Sequence, residues 1–193
     1  MRRSLRLPLI FVAAFSSLLP VWIAQAQTSA GRAGAASPPA SGTTYQGGMP
    51  ATDVSAAAVK AFIDALPKDA ITDSPIRAVD VGGYRVGVFG VFRPKNLPGD
   101  AIAHETRTTE IYYMLEGGGT LVTGGTITGI KAPPAGRAPG PRGDKIEGGV
   151  SRHVGPGDII IIPGRTPHWW SSLDSDIRYL IFRPDPEGRM TLK

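Results

Sequence analysis

From Ile76 onward, short segments rich in Val, Ile, Tyr and Phe recur between Gly and Pro, and this punctuation limits the fold more than any other feature. The segments are Tyr84–Phe92, Glu110–Leu115, Gly119–Thr123, Ile127–Ile130, Asp158–Ile162 and Ile177–Phe182. Each has the length of a strand and turn residues at its ends, as in an all-β sandwich or barrel. One helix precedes them, expected over about 53–66 with Asp53 as N-cap. Its Val59, Phe62, Ile63 and Leu66 fall at i, i+3, i+4 and i+7 before Pro67 stops it. That stripe reads as core packing.

The N-terminus reads as an export signal. Arg2, Arg3 and Arg6 lead an apolar run from Leu7 to Ile23, and Ala24-Gln25-Ala26 places small residues where a signal peptidase cuts, so cleavage is expected after Ala26. Pro8 and Pro20 and this ending count against a retained membrane anchor. Residues 27–50, rich in Ala, Gly, Ser, Thr and Pro, are expected to form a flexible linker, and residues 51–193 a single domain with its barrel over about 76–184. The mature chain is expected in the periplasm or secreted.

Removing the signal takes away three Arg and no acid, so the formal charge falls from +5 to +2. No basic stripe interleaved with aromatics remains, which argues against nucleic acid as a partner. The absence of cysteine excludes thiolate catalysis, Cys-bound zinc and iron–sulfur chemistry. Any metal must be held by His, carboxylate or water.

The residues that can carry chemistry are few. With Ala103–Gly117 taken as one strand, His104 and Thr106 share a face and Glu105 and Arg107 take the other, with a bulge or tight turn before Glu110. A carboxylate that opens the run Glu110-Ile111-Tyr112-Tyr113-Met114-Leu115 is costly to bury without a cation or donor. His168 follows Pro163 and Pro167 at a rigid corner. Two imidazoles and one carboxylate match the ligand set of non-haem iron sites and of related Mn, Ni or Zn sites. Equally, a histidine in a β-protein is often only a satisfied polar residue. His153 reads as a surface or edge residue.

The chain resembles the cupins, a family of small β-barrels, in two motifs. The first is carried by Gly99, His104, Thr106, Glu110 and Gly117, and the second by Gly157, Asp158, Pro163 and His168. There are departures: Gly99 sits one residue closer than the pattern, Thr106 stands in place of a second histidine, Arg165 holds a glycine position with Gly164 shifted by one, and Ser172 replaces the usual Asn. The resemblance covers roughly Tyr84–Arg183. It implies an antiparallel cupin-type β-barrel (jelly roll), a divalent metal (Fe, Mn, Ni or Zn) held by His104, Glu110 and His168, and a homodimer.

Two functions follow from this reading. In the first, an exported metal-dependent enzyme of dioxygenase, lyase or isomerase type acts on a small oxygenated molecule. Tyr112 is then the base, and Thr106 hydrogen-bonds a bound water or the substrate. In the second, a metal-free barrel binds a sugar or organic acid without catalysis; an inert structural barrel is a third possibility. Tyr112 and Met114 either line the lumen or fill the core, and one of Trp169 and Trp170 either walls a pocket or packs under a loop. Arg85 and Arg178 are candidates for holding a substrate carboxylate, although alternation alone leaves their faces open. Lys131–Gly149, with four prolines and five glycines, reads as a long exposed loop, a lid or a disordered segment.

Overall fold

A computed structural model describes residues 47–132 and 140–193. The expected export signal and nearly all of the expected linker lie outside the described residues, as do residues 133–139 of the Pro/Gly-rich segment. No helix among the described residues is long and apolar enough to cross a membrane.

The expected helix is present as α1 (Ala56–Ala65), starting later than expected. Its N-cap is Ser55 and not Asp53: the Ser55 hydroxyl accepts from the Ala58 N–H at 3.2 Å and satisfies one of the free first-turn donors. Ile63 and Leu66 are buried, with Val59 and Phe62 packed beside them against Phe92 and Leu180. The helix lies so close to the sheet that a Cβ on Gly90 would fall 2.8 Å from Ile63 Cδ1 and 2.9 Å from Phe62 Cδ1.

Two five-stranded antiparallel sheets follow. The first has the order β1 (Thr72–Asp80), β2 (Arg85–Arg93), β12 (Ile177–Asp185), β4 (Glu110–Glu116), β10 (Ile159–Ile162). The second has the order β7 (Arg142–Gly143), β3 (Ala101–Ile102), β11 (His168–Leu173), β5 (Gly119–Thr123), β9 (Val150–Val154), and a small pair joins β6 (Thr126–Thr128) to β8 (Lys145–Glu147). One core cluster takes Phe89 and Val91 from β2, Tyr112 and Met114 from β4, Ile160 and Ile162 from β10, Leu121 from β5, Trp170 from β11 and Tyr179 and Ile181 from β12. The inner faces of both sheets therefore meet in one lumen. This is the cupin-type jelly roll, all-β apart from α1.

Register shifts at Pro75/Arg77, Trp170/Ser172 and Arg178/Tyr179 mark bulges, and bulges sharpen the curl that lets sheets close into a barrel. The segment expected as a bare loop is partly built. Lys131 bridges to Arg142, and β7 and β8 both lie within Lys131–Gly149.

Candidate metal centre

Alternation along β4 turns Glu110, Tyr112 and Met114 inward, at 2%, 3% and 1% exposure. On β11 the same rule buries His168 and Trp170 in the lumen and leaves Trp169 half-buried on the other face, packed with Ala101, Val122 and Ile146. Trp170 is therefore core, and the Trp169 indole N–H donates to the Gly99 carbonyl at 3.2 Å.

His104 reaches the site differently from the expectation. The single strand expected over Ala103–Gly117 is broken: β3 ends at Ile102, residues 103–109 are bends and coil, and β4 begins at Glu110. Contacts at both ends hold this bend. The Ala103 N–H donates to the Pro141 carbonyl at 3.1 Å, and Arg165 Nε donates to the Glu105 carbonyl at 3.1 Å. The turn over 163–166 lies directly on Arg107, so that a Cβ on Gly164 would sit 2.5 Å from the Arg107 carbonyl carbon. Arg165 takes φ +67, the left-handed region, and is the one such non-glycine among the described residues. It occupies the position where the motif has glycine, at a conformational cost of about 1–2 kcal/mol.

His104, Glu110 and His168 converge, each offering a ligand atom within 4.8 Å of the others. His104 Nε2 lies 3.3 Å from Glu110 Oε1, and His168 Nε2 lies 3.3 Å from Glu110 Oε2. The imidazole centroids are 5.5 Å apart. His168 Nδ1 contacts the Thr166 carbonyl at 3.0 Å. A carbonyl only accepts, so the proton is on Nδ1 and a lone pair is left on Nε2. Burial, the largest influence, pushes the His168 pKa below its usual value and favours this neutral form. Both histidine Nε2 atoms are buried without a hydrogen-bond partner.

Glu110 is also held by Arg183, whose Nε and Nη2 donate to Oε1 at 2.8 and 2.6 Å. Burial by itself would raise the Glu110 carboxyl. The Arg183 charge and the two imidazoles more than reverse this and hold it well below the usual carboxylate range. Arg183 continues to Asp73 through two hydrogen bonds of 3.0 and 2.6 Å and lies over the Phe89 ring at 4.2 Å.

Tyr112 differs from its expected role as a base. Its hydroxyl donates to Glu110 Oε2 at 3.1 Å. Burial first, and the Glu110 charge second, push the phenol well above 10, which makes Tyr112 a proton donor at neutral pH. Thr106 is half-buried on the bend and lies outside the convergent group, with no side-chain hydrogen bond to it among the described residues.

The two arginines suggested for a substrate carboxylate lie elsewhere. Arg85 donates to the Met190 carbonyl, and Arg178 pairs with Glu116 beside the Phe92 ring. The lumen arginines are Arg93 and Arg183, which sequence reasoning missed. Alternation was the available signal: Arg93 shares the parity of Phe89 and Val91, and Arg183 that of Ile177, Tyr179 and Ile181. His153 is exposed on the edge strand β9, 2.6 Å from Asp174, as expected for a surface residue.

No family model and no curated protein matches the chain. Solved structures with loose overall likeness include the Clostridium difficile EutQ protein, 14% identical, with 61% of this chain and 69% of that one covered at a TM-score of 0.37. Another is an RmlC-like cupin family protein with a double-stranded β-helix fold from Methanocaldococcus jannaschii, 11% identical, with 63% and 89% covered and a TM-score of 0.36. A third is the DMSP lyase DddQ from Ruegeria pomeroyi, 15% identical, with 75% and 79% covered and a TM-score of 0.38.

Proposed function

We propose that the chain is an exported metalloprotein in which His104, Glu110 and His168 hold a divalent metal, Fe, Mn, Ni or Zn, and act on a small oxygenated organic molecule. One observation carries the reading. The His168 Nε2 lone pair faces a buried carboxylate oxygen at 3.3 Å, and His104 Nε2 faces the other oxygen at the same distance, with neither nitrogen hydrogen-bonded. At His168 the Thr166 carbonyl fixes the proton on Nδ1, so acceptor faces acceptor there and a cation between them would relieve the repulsion.

Three protein ligands leave coordination positions open, and a metal bound there would polarise a substrate oxygen as a Lewis acid or serve as a redox centre. The chain itself supplies the rest. Thr166 fixes the His168 tautomer, Arg183 keeps Glu110 ionised, and Tyr112 keeps its phenol proton, hydrogen-bonded to Glu110 Oε2. The N-terminal signal supports delivery to the periplasm or outside the cell, with cleavage after Ala26; the mass of the mature chain tests it. The uncharged edge strand β10, with Ile159 and Ile161 each 65% exposed, supports a second copy as a partner.

Elemental analysis of protein purified without a histidine tag tests the metal. One equivalent of metal, lost in His104→Ala and His168→Ala, is expected; trace metal unchanged by both substitutions would sink the reading. Arg183 favours a second reading, because its guanidinium already compensates Glu110. In that case the barrel works without metal, and His104 and His168 hydrogen-bond a sugar or organic acid, His168 Nε2 as the acceptor.

A further inference from the structure

Arg93 is the charged lumen residue that the metal site leaves unused. It ends β2 on the inward face, half-buried, with its Nε donating to Tyr179 Oη at 3.4 Å and its Nη1 to the Pro98 carbonyl. Both acceptors are neutral. The nearby carboxylates are already engaged, since Asp73 and Glu110 are both held by Arg183. Tyr179 packs against Tyr112 with ring centroids 4.8 Å apart, and Tyr112 lies edge-on to the His168 ring at 6.4 Å. Arg93 therefore stands on the wall that carries Tyr179 and Tyr112 toward the convergent group, without a salt-bridge partner among the described residues.

Arg183 is compensated by both Asp73 and Glu110, whereas no carboxylate pairs with Arg93 among the described residues. A divalent metal at His104, Glu110 and His168 adds two positive charges in a site with little water to screen them. A second unmet donor lies on the same inner surface: the Trp170 indole Nε1 is buried and makes no hydrogen bond. Arg93 Nη2 makes no hydrogen bond among the described residues, and a guanidinium is suited to binding a carboxylate.

We propose that the substrate of the metal site is a small carboxylate, its acid group held by Arg93 and a second oxygen directed to the His104–Glu110–His168 centre. The proposal rests on the metal reading above. It requires no rearrangement of the Arg183 network, because Arg93 contributes to neither the Glu110 nor the Asp73 contact. It also explains why a guanidinium is kept where a neutral side chain would tie down Pro98 at lower desolvation cost.

Titration calorimetry on zinc-loaded protein tests it, with glycolate and 3-hydroxypropionate each compared with its uncharged amide. The acid is expected to bind at least about tenfold more tightly than the amide, the ratio of one charged hydrogen-bonded contact. Arg93→Gln should remove that preference while zinc stoichiometry stays at the wild-type value. Arg93→Lys keeps the charge without the fork and should retain part of it. Equal binding of acid and amide by the wild type overturns the proposal, as does an acid preference that survives in Arg93→Gln. If Arg93→Gln does not fold, the Arg93→Lys titration and the wild-type acid–amide ratio decide. Absence of zinc binding in the wild type overturns the metal reading itself, and this inference with it; zinc binding without any acid binding overturns this inference alone.

Discussion

Arg183 on β12 holds Asp73 on β1 by two hydrogen bonds while the same guanidinium binds Glu110 on β4, so one side chain ties the sheet edge to the site. Arg183 and Glu110 are 13% and 2% exposed, which puts this pair among those whose loss leaves a buried charge alone. Arg183→Met is expected to destabilise the metal-free protein by about 3–5 kcal/mol. Zinc should restore much of that loss, because the metal replaces the missing positive charge beside Glu110. Urea unfolding of wild type and variant, each with and without zinc, measures both effects, and equal losses in the two conditions would contradict the metal site.

Acid should weaken the fold through the same residues. The Glu110 carboxyl is held below its ordinary 4.5, so its contribution is present above that value and is lost as pH falls into the acid range. His168 is held below its ordinary 6.5, so the unfolded chain takes up the imidazole proton first, and stability declines as pH falls below 6.5. Both effects have the same sign. The thermal midpoint of the metal-free protein should fall from about pH 6.5 downward, and Glu110→Gln should flatten the part below about 4.5.

Gly164 is needed for close approach and not for an unusual φ. Its missing Cβ leaves room for the Arg107 backbone, which a methyl group would meet at 2.5 Å. Gly164→Ala should cost about 1–3 kcal/mol in strain and lower zinc affinity by displacing the bend that carries His104. Parallel urea and zinc titrations separate the two effects, and unchanged zinc affinity would show that the bend is positioned from elsewhere.

Edge strand β10 is four isoleucines without a charge, bulge or proline inside it. Natural edges of this kind are normally covered. Light scattering should find a dimer at micromolar concentration, and Ile161→Lys, on the exposed face, should shift it to monomer without changing zinc stoichiometry. A wild-type monomer would leave the edge without its expected partner.

The strands with clean punctuation were legible in the sequence; those that break their own pattern were not. β1 carries Pro75 at a bulge, and β9 is polar along most of its length because it is an edge exposed on both sides. β11 is interrupted at Ser171, where its register with β5 shifts. At the site, motif spacing brought His104, Glu110 and His168 together correctly, whereas strand alternation could not, since His104 lies on a bend held by Arg165 and Gly164. Arg93 and Arg183 were readable by parity once an inward residue on each strand was known. The sequence alone did not fix that phase, so Arg178 was equally eligible, and Arg85, which shares the parity of Arg93, is set apart only by standing at the other end of β2.

The strand order has a consequence for how the chain is made. β12 lies between β2 and β4, yet it is the last strand to be synthesised. Until Ile177–Asp185 has emerged, the β1–β2 hairpin and the β4–β10 pair have no strand to join them, and Arg183 is not there to neutralise Glu110. The sheet therefore closes only when β12 is inserted between its two halves, whatever has formed before.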